Sequence, residues 1–232
     1  RDEVFGFLSA VEGGAYAGFI VVKEEHISHK PDNLSFAEAA SLPLAASTAW
    51  QAMVNKGKIA ERDKVLILGC TGGVGHAAVQ IARSFGAKVT GTCSEEHMPF
   101  AYDLGCEVVL DYEKEKVPSF EKFDLIFDAS GNFTLSDYKS NLHEDGVFVS
   151  TRGGANSLKG VVEAAVDLVF EKQMNLIVVK PNGSTLTALR YLAETQELVP
   201  HIHETFSLEN ISGAHEMVEK GGFTGKVVVS IA

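Results

Sequence analysis

The residues best placed for chemistry are glycines. Gly69, Gly72, Gly73 and Gly75 fall within the stretch Lys64-Val65-Leu66-Ile67-Leu68-Gly69-Cys70-Thr71-Gly72-Gly73-Val74-Gly75. An apolar run that stops at a glycine cluster reads as a buried strand, and Val74, Ala77, Ala78, Ile81 and Ala82 follow on one helical face. Strand, turn and helix in this order bring backbone N–H groups and the positive end of a helix dipole to a pyrophosphate. Glycine serves there because a side chain would hold phosphates off the backbone and obstruct helix–strand packing. A second strand at residues 87–92 completes a β-α-β unit of about thirty residues, the context in which such a turn binds a dinucleotide. The turn is one residue longer than plain G-x-G-x-x-G, and a purely structural glycine turn is the alternative. The chemistry implied is hydride transfer.

The elements that must position this turn alternate along the chain. Strands are expected at 65–69, 87–93, 107–111, 124–128, 146–151 and 175–179, and helices at 73–85, 95–104, 134–142, 158–171 and 184–195. Six apolar strands separated by helical connections predict an α/β fold, a doubly wound parallel sheet with helices on both faces. Before it, residues 4–8 and 17–22 read as strands. Ser35 with Glu38 reads as a capping box, and Leu42-Pro43 interrupts a helix that resumes over 45–54. After it come a strand at 201–206, an amphipathic helix at 208–220 and a strand at 225–231, expected to leave the main sheet and pack with residues 1–40.

Composition narrows the function. A net charge of −11 over 232 residues argues against nucleic acid and anionic membranes as partners, because both repel an acidic surface. No apolar run approaches the length of a membrane span, and no signal peptide opens the chain. Cys70, Cys93 and Cys106 lack paired or metal-type spacing and read as buried thiols of a reducing cytoplasm. The opening Arg1-Asp2-Glu3-Val4-Phe5-Gly6-Phe7 reads like the middle of a β-domain, so the chain is taken as a fragment or processed form.

Several segments together resemble the zinc-independent quinone oxidoreductases, the zeta-crystallin-like branch of the medium-chain dehydrogenase/reductase superfamily. Asp2-Glu3-Val4-Phe5-Gly6 resembles the family's G-D-x-V-x-G strand, with Arg1 in place of Gly. Lys30-Pro31-Asp32-Asn33-Leu34-Ser35-Phe36 and Leu42-Pro43 resemble its linker, and Thr48-Ala49-Trp50-Gln51-Ala52 its next helix. Gly72-Gly73-Val74-Gly75, Leu104-Gly105-Cys106, Asp111-Tyr112, the strand from Phe123 to Asp128 and Gly225-Lys226-Val227-Val228 carry the likeness to the end. The resemblance implies a two-domain reductase using NADPH. A partial GroES-like catalytic domain would comprise 1–44 and 199–232, and a Rossmann dinucleotide-binding domain 45–198. It also implies roughly seventy further residues before Asp2, which would supply one wall of the cleft.

Site residues follow from both readings. Gly72, Gly73 and Val74 should lie nearest the pyrophosphate, and Thr71 either adds a hydroxyl or is only a turn residue. At the end of the second strand, where NAD enzymes place an acid, stands Ser94, which can donate to a 2′-phosphate. Glu95 and Glu96 oppose that phosphate unless they are solvated at a helix start. Ser130 and Arg152 follow later strands, where ligands of doubly wound folds lie, although Arg152 is equally a surface cation. By resemblance, Tyr112 touches the 2′-phosphate and Lys226 sits in a segment closing over the nicotinamide. Thr48 by the same resemblance faces a phosphate or ribose, its alternative being helix packing. NADPH is therefore expected, with NADH as the other coenzyme the site could take.

No catalytic residue is assigned. Tyr16 is either a cleft residue or a packed aromatic. His201 and His203 alternate on a strand without a third ligand, so no metal site is expected. The glycine turn carries no hydrolase nucleophile. The leading expectation is reduction of a small-molecule quinone, enone or related electron-poor acceptor. The alternatives are a zinc-type alcohol dehydrogenase and a non-catalytic nucleotide-binding module. Edge strands could support a homodimer by extending the sheet across two chains.

Overall fold

The computed structural model describes residues 2–9, 13–151 and 172–231. The chain divides into two compact units, Arg1–Ser47 with Val179–Ala232, and Thr48–Val178. In the first, β1 (Val4–Gly6) pairs antiparallel with β2 (Ile27–His29). The strand expected at 17–22 is absent: those residues form a bend and irregular backbone, with Phe19 and Val21 almost wholly exposed. An apolar run becomes a strand only where it finds a pairing edge, and β2 takes the one beside β1.

The linker folds as its residues dictate. The Lys30 ammonium donates to the Leu34 carbonyl at 2.6 Å and the Pro31 carbonyl at 3.0 Å, and pairs with Glu3 at 3.3 Å. Ser35 then caps α1 (Phe36–Ser41): its Oγ accepts from Glu38 N while Ser35 N donates to the Glu38 carboxylate at 2.8 Å. Pro43 cannot continue that helix, so α2 (Pro43–Trp50) begins anew and runs into a π-helical turn, Gln51–Lys56.

The second unit holds the sheet. Its strands are β3 (Lys64–Leu68), β4 (Lys88–Cys93), β5 (Val108–Asp111), β6 (Phe123–Asp128), β7 (Leu142–Ser150) and β8 (Met174–Leu176). All pair parallel, in the order β5-β4-β3-β6-β7-β8. This is the doubly wound order, with its reversal between β3 and β6, and the expected fold class is observed. Val65 to Leu68 have no exposed surface, as strands covered on both faces require. One face packs Leu66, Leu68, Ile126, Leu135 and Phe148 into a single cluster.

Helix boundaries depart from the sequence pattern in several places. The helix expected at 134–142 is only α5 (Leu135–Tyr138) and a 3-10 turn, because β7 begins at Leu142 to pair with Phe123. The helix expected at 95–104 opens as a 3-10 turn, Glu95–His97, before α4 (Met98–Leu104), since Pro99 suits only a first helical turn. The helix expected at 158–171 lies outside the described residues. In the first unit, α6 (Gly183–Glu194) packs on β2, and β9 (Ile202–Ser207), α7 (Ile211–Lys220) and β10 (Lys226–Ser230) follow. β9 and β10 form a separate two-stranded parallel sheet on which α1 packs. No helix of the described residues is long and apolar enough to cross a membrane.

Gly91 in β4 has no room for a side chain: a Cβ there would stand 2.6 Å from Cys70 Sγ and 2.8 Å from Cys106 Sγ. Gly91→Ala should therefore lower stability by about 1–3 kcal/mol, read as a shift of the urea midpoint at unchanged slope.

Candidate functional site

The glycine turn sits beyond the C-terminal end of β3, next to the point where strand order reverses. Gly69 takes a positive φ of 77° to turn the chain, and the N–H groups of Gly69 and Cys70 donate to the Thr92 carbonyl at 3.1 and 3.0 Å. These bonds fasten the turn to the end of β4. α3 (Gly75–Ser84) starts immediately after, so helix starts at 75 rather than at the expected 73. His76 Nδ1 lies 3.1 Å from the Gly72 carbonyl, which can only accept, so this nitrogen carries the hydrogen.

The glycines differ in what requires them. A Cβ on Gly75 would stand 2.0 Å from the Gly69 carbonyl oxygen, so Gly75 is glycine because helix and strand meet there. A Cβ on Gly72 would meet only that same oxygen, at 3.6 Å, an ordinary contact. Nothing among the described residues demands a bare backbone at Gly72, whose φ is not positive. Val74 occupies the N-cap of α3 without a side-chain cap bond. Among the described residues the Gly73 and Val74 N–H groups have no backbone acceptor. Open space and donors at a helix start suit an anionic ligand that approaches the backbone.

Across the reversal stands a group that sequence reasoning missed. Asp128, fully buried at the end of β6, accepts from Ser130 Oγ (2.7 Å), Gly131 N (2.9 Å), Phe133 N (3.1 Å) and Ser150 Oγ (2.8 Å). One carboxylate thus shapes the loop after β6 and ties it to the end of β7. It aims Ser130 toward the turn, where a Cβ on Gly69 would come within 3.2 Å of Ser130 Cβ. An aspartate closing a buried strand, followed by Ser130-Gly131, was the available signal.

The ends of β4 and β5 bring a second group together. Ser94 Oγ lies 3.0 Å from His97 Nδ1, and half-exposed Tyr112 donates its N–H to the Cys93 carbonyl at 3.2 Å. Glu95 is bonded to Lys114, which also pairs with Asp111 at 3.5 Å. Those carboxylates, Glu95 first, hold the Lys114 ammonium above its ordinary value. Lys114 was not foreseen because nineteen positions separate it from Glu95. Only the parallel register, Cys93 beside Asp111, places both at one end of the sheet.

The other expected site residues are placed as follows. Thr71 is buried within the turn, and Thr48 is buried on α2. Lys226 belongs to the first unit, on β10, where burial pushes its ammonium down from the ordinary lysine range. Arg152 lies outside the described residues. Tyr16 contacts His215 of α7, hydroxyl to Nε2 at 3.5 Å. His201 bonds Thr224 at 3.0 Å, and burial, then the charge of His203, pushes its imidazole down. Among the described residues no group of three or more His, Cys, Asp or Glu side chains could hold a metal ion.

Comparison with known proteins was made on this basis. Residues 104–229 match the model of a family described as zinc-binding dehydrogenase. The chain is 32% identical to the zebrafish (Danio rerio) protein named NAD(P)H oxidoreductase RTN4IP1, mitochondrial, over 99% of this chain and 66% of that protein. It is 34% identical to 2-methylene-furan-3-one reductase of Solanum lycopersicum, over 98% of this chain and 57% of that protein. The solved quinone oxidoreductase of Coxiella burnetii superposes with a TM-score of 0.77 at 30% identity, over 90% of this chain and 65% of that one. The chain thus spans about two thirds or less of the length of these relatives.

Removing the Asp128 carboxylate strands four donors, one of them the buried Ser150 hydroxyl. Asp128→Ala should cost about 3 kcal/mol or more, measured by urea unfolding. A loss below about 1 kcal/mol would show that the carboxylate does not organise the loop.

Proposed function

This chain belongs to the zinc-binding dehydrogenase family of the medium-chain dehydrogenase/reductase superfamily, and we propose that it is part of an NADPH-dependent oxidoreductase transferring hydride to a small quinone, enone or related electron-poor acceptor. The observation that carries this reading is Gly72, a glycine with space for a side chain among the described residues, beside backbone donors that have no backbone acceptor among those residues, at the reversal of the sheet. Such a place fits a pyrophosphate, which needs the room a side chain would take. Relatives named as NAD(P)H oxidoreductase, quinone oxidoreductase and enone-type reductase support the reaction class.

When bound, the coenzyme supplies the hydride. The protein's part is to hold and orient it. The Gly73 and Val74 N–H groups hold the diphosphate with the dipole of α3 behind them, and Thr71 lies beside them. Ser130, fixed by Asp128, borders the crevice from the β6 side. Ser94, Tyr112 and Lys114 form the adenosine end. The absence of an acid at position 94 and the presence of an ammonium both favour a 2′-phosphate, because Lys114 offsets the charge of Glu95. Thr48, Arg152 and Lys226 are assigned to the coenzyme by the same reading. No acid–base pair is assigned, since an electron-poor acceptor can take its final proton from solvent or from a loosely placed hydroxyl.

In this reading residues 1–44 and 199–232 are a partial GroES-like catalytic domain and residues 45–198 the nucleotide-binding domain, whereas the compact units divide after Ser47 and after Val178. The protein works in the reducing cytoplasm, where its three free thiols persist. The end strands β5 and β8 offer the edges through which two copies would extend the sheet into a homodimer.

Two substitutions separate binding from folding. Gly72→Ala should leave the melting temperature unchanged and weaken NADPH binding by about ten- to a hundredfold, the scale of charge-assisted hydrogen bonds displaced. Gly75→Ala should instead lower the melting temperature. Retained affinity in a fluorescence titration of the Gly72 variant would remove the pyrophosphate from this turn. Lys114→Gln should weaken NADPH by about fivefold and leave NADH unaffected, the scale of one exposed ion pair. Equal losses for both coenzymes would dismiss Lys114 as the discriminating cation.

A further inference from the structure

Two hydroxyls follow the neighbouring strands β6 and β7, and both have already committed their hydrogens to the protein. Ser130 Oγ donates to Asp128 Oδ1 at 2.7 Å and accepts from Asn132 N at 3.3 Å. Thr151 Oγ1 donates to the Asp128 carbonyl at 3.3 Å and the Ala129 carbonyl at 3.4 Å. One aspartate therefore gathers both, Ser130 through its side chain and Thr151 through its main chain. The Ser130 bond is the stronger, being short and charge-assisted. Gly131 N on the same carboxylate oxygen, and Phe133 N and Ser150 Oγ on the other, hold that carboxylate in place. A hydroxyl has one hydrogen and two lone pairs. Exposed Ser130 and half-buried Thr151 thus turn lone pairs, and no hydrogen, toward a ligand.

Charge divides the crevice accordingly. On the β3 side the start of α3 presents N–H donors, which suit an anion. On the β6 side a ligand meets lone pairs, with the fully buried Asp128 carboxylate behind them. A phosphate oxygen is itself an acceptor and finds no partner there, whereas a group that brings its own hydrogens does. In a doubly wound sheet β3, β4 and β5 make one mononucleotide-binding half, and β6, β7 and β8 the other. With the adenosine end at β4 and β5, the second half takes the nicotinamide nucleotide. The adenosine 2′-hydroxyl of NADPH is phosphorylated, so its one free vicinal diol belongs to the nicotinamide ribose.

We propose that Ser130 and Thr151 form an acceptor pair for the hydroxyls of the nicotinamide ribose, with Asp128 holding the Ser130 hydrogen away from the ligand. This rests on the coenzyme reading above and adds to it which half of the coenzyme these hydroxyls serve and which group they accept from. Fixing the sugar restricts rotation of the ring it carries, and hydride transfer needs that orientation.

Calorimetric titration with three ligands tests the assignment. They are NADPH, its acetylpyridine analogue, which keeps the ribose but lacks the amide N–H, and adenosine 2′,5′-bisphosphate, which lacks the nicotinamide half. Ser130→Ala should weaken NADPH and the analogue alike by about fivefold, the scale of one hydrogen bond, and leave the bisphosphate unchanged. Thr151→Val, which keeps the side-chain shape, should repeat that pattern. A loss confined to NADPH would assign the hydroxyl to the carboxamide, and an equal loss for the bisphosphate would make its role general to the fold; either overturns the ribose pair. Unchanged NADPH affinity in either variant overturns it as well. Absence of NADPH binding by the unsubstituted protein overturns the coenzyme reading and, with it, the pair.

Discussion

Helix α3 approaches the end of β3 so closely that the Gly69 carbonyl occupies the place of any side chain on Gly75. Everything at the candidate site follows from that approach. It forces the chain through a tight turn, whose entry Gly69 makes with a positive φ. It leaves the Gly73 and Val74 N–H groups, just ahead of α3, without a backbone acceptor or a side-chain cap among the described residues. A helix start held so rigidly against a buried parallel sheet is a preorganised site for negative charge, because its donors need not be ordered when the ligand arrives.

The surroundings supply what the turn lacks. On the β6 side, Asp128 gathers the hydrogen bonds of a loop that would otherwise be free, and so fixes Ser130 at the border of the crevice. On the β4 side, Lys114 offsets the charge of Glu95, the feature that made a 2′-phosphate hardest to accommodate. The Cys70 and Cys106 sulfurs occupy the space made by Gly91, and the Cys70 N–H ties the turn to β4 through the Thr92 carbonyl. The same few residues therefore govern packing and charge at one end of the sheet.

The legible parts of the molecule were those governed by local pattern. Each core strand is a contiguous apolar run, the Ser35–Glu38 cap is a four-residue motif, and the glycine turn announces itself between a strand and a helix. The misread parts depended on partners. Residues 17–22 have the composition of a strand but no edge to pair with, and residues 139–141 tighten because β7 must meet β6. Asp128 and Lys114 were visible as residue types, yet their roles came from distant donors and acceptors.

Sequence alone determined the alternation of strands and helices, the position of the glycine turn and the family likeness, because hydrophobic period and glycine spacing act over a few residues. Tertiary structure alone decided which glycine is required by packing and which leaves room for a ligand. It also decided which cation faces Glu95 and that Cys70 and Cys106, thirty-six positions apart, pack against Gly91. Parallel strands place residues side by side that are eighteen or more positions apart, and only the register of the folded sheet says which ones meet.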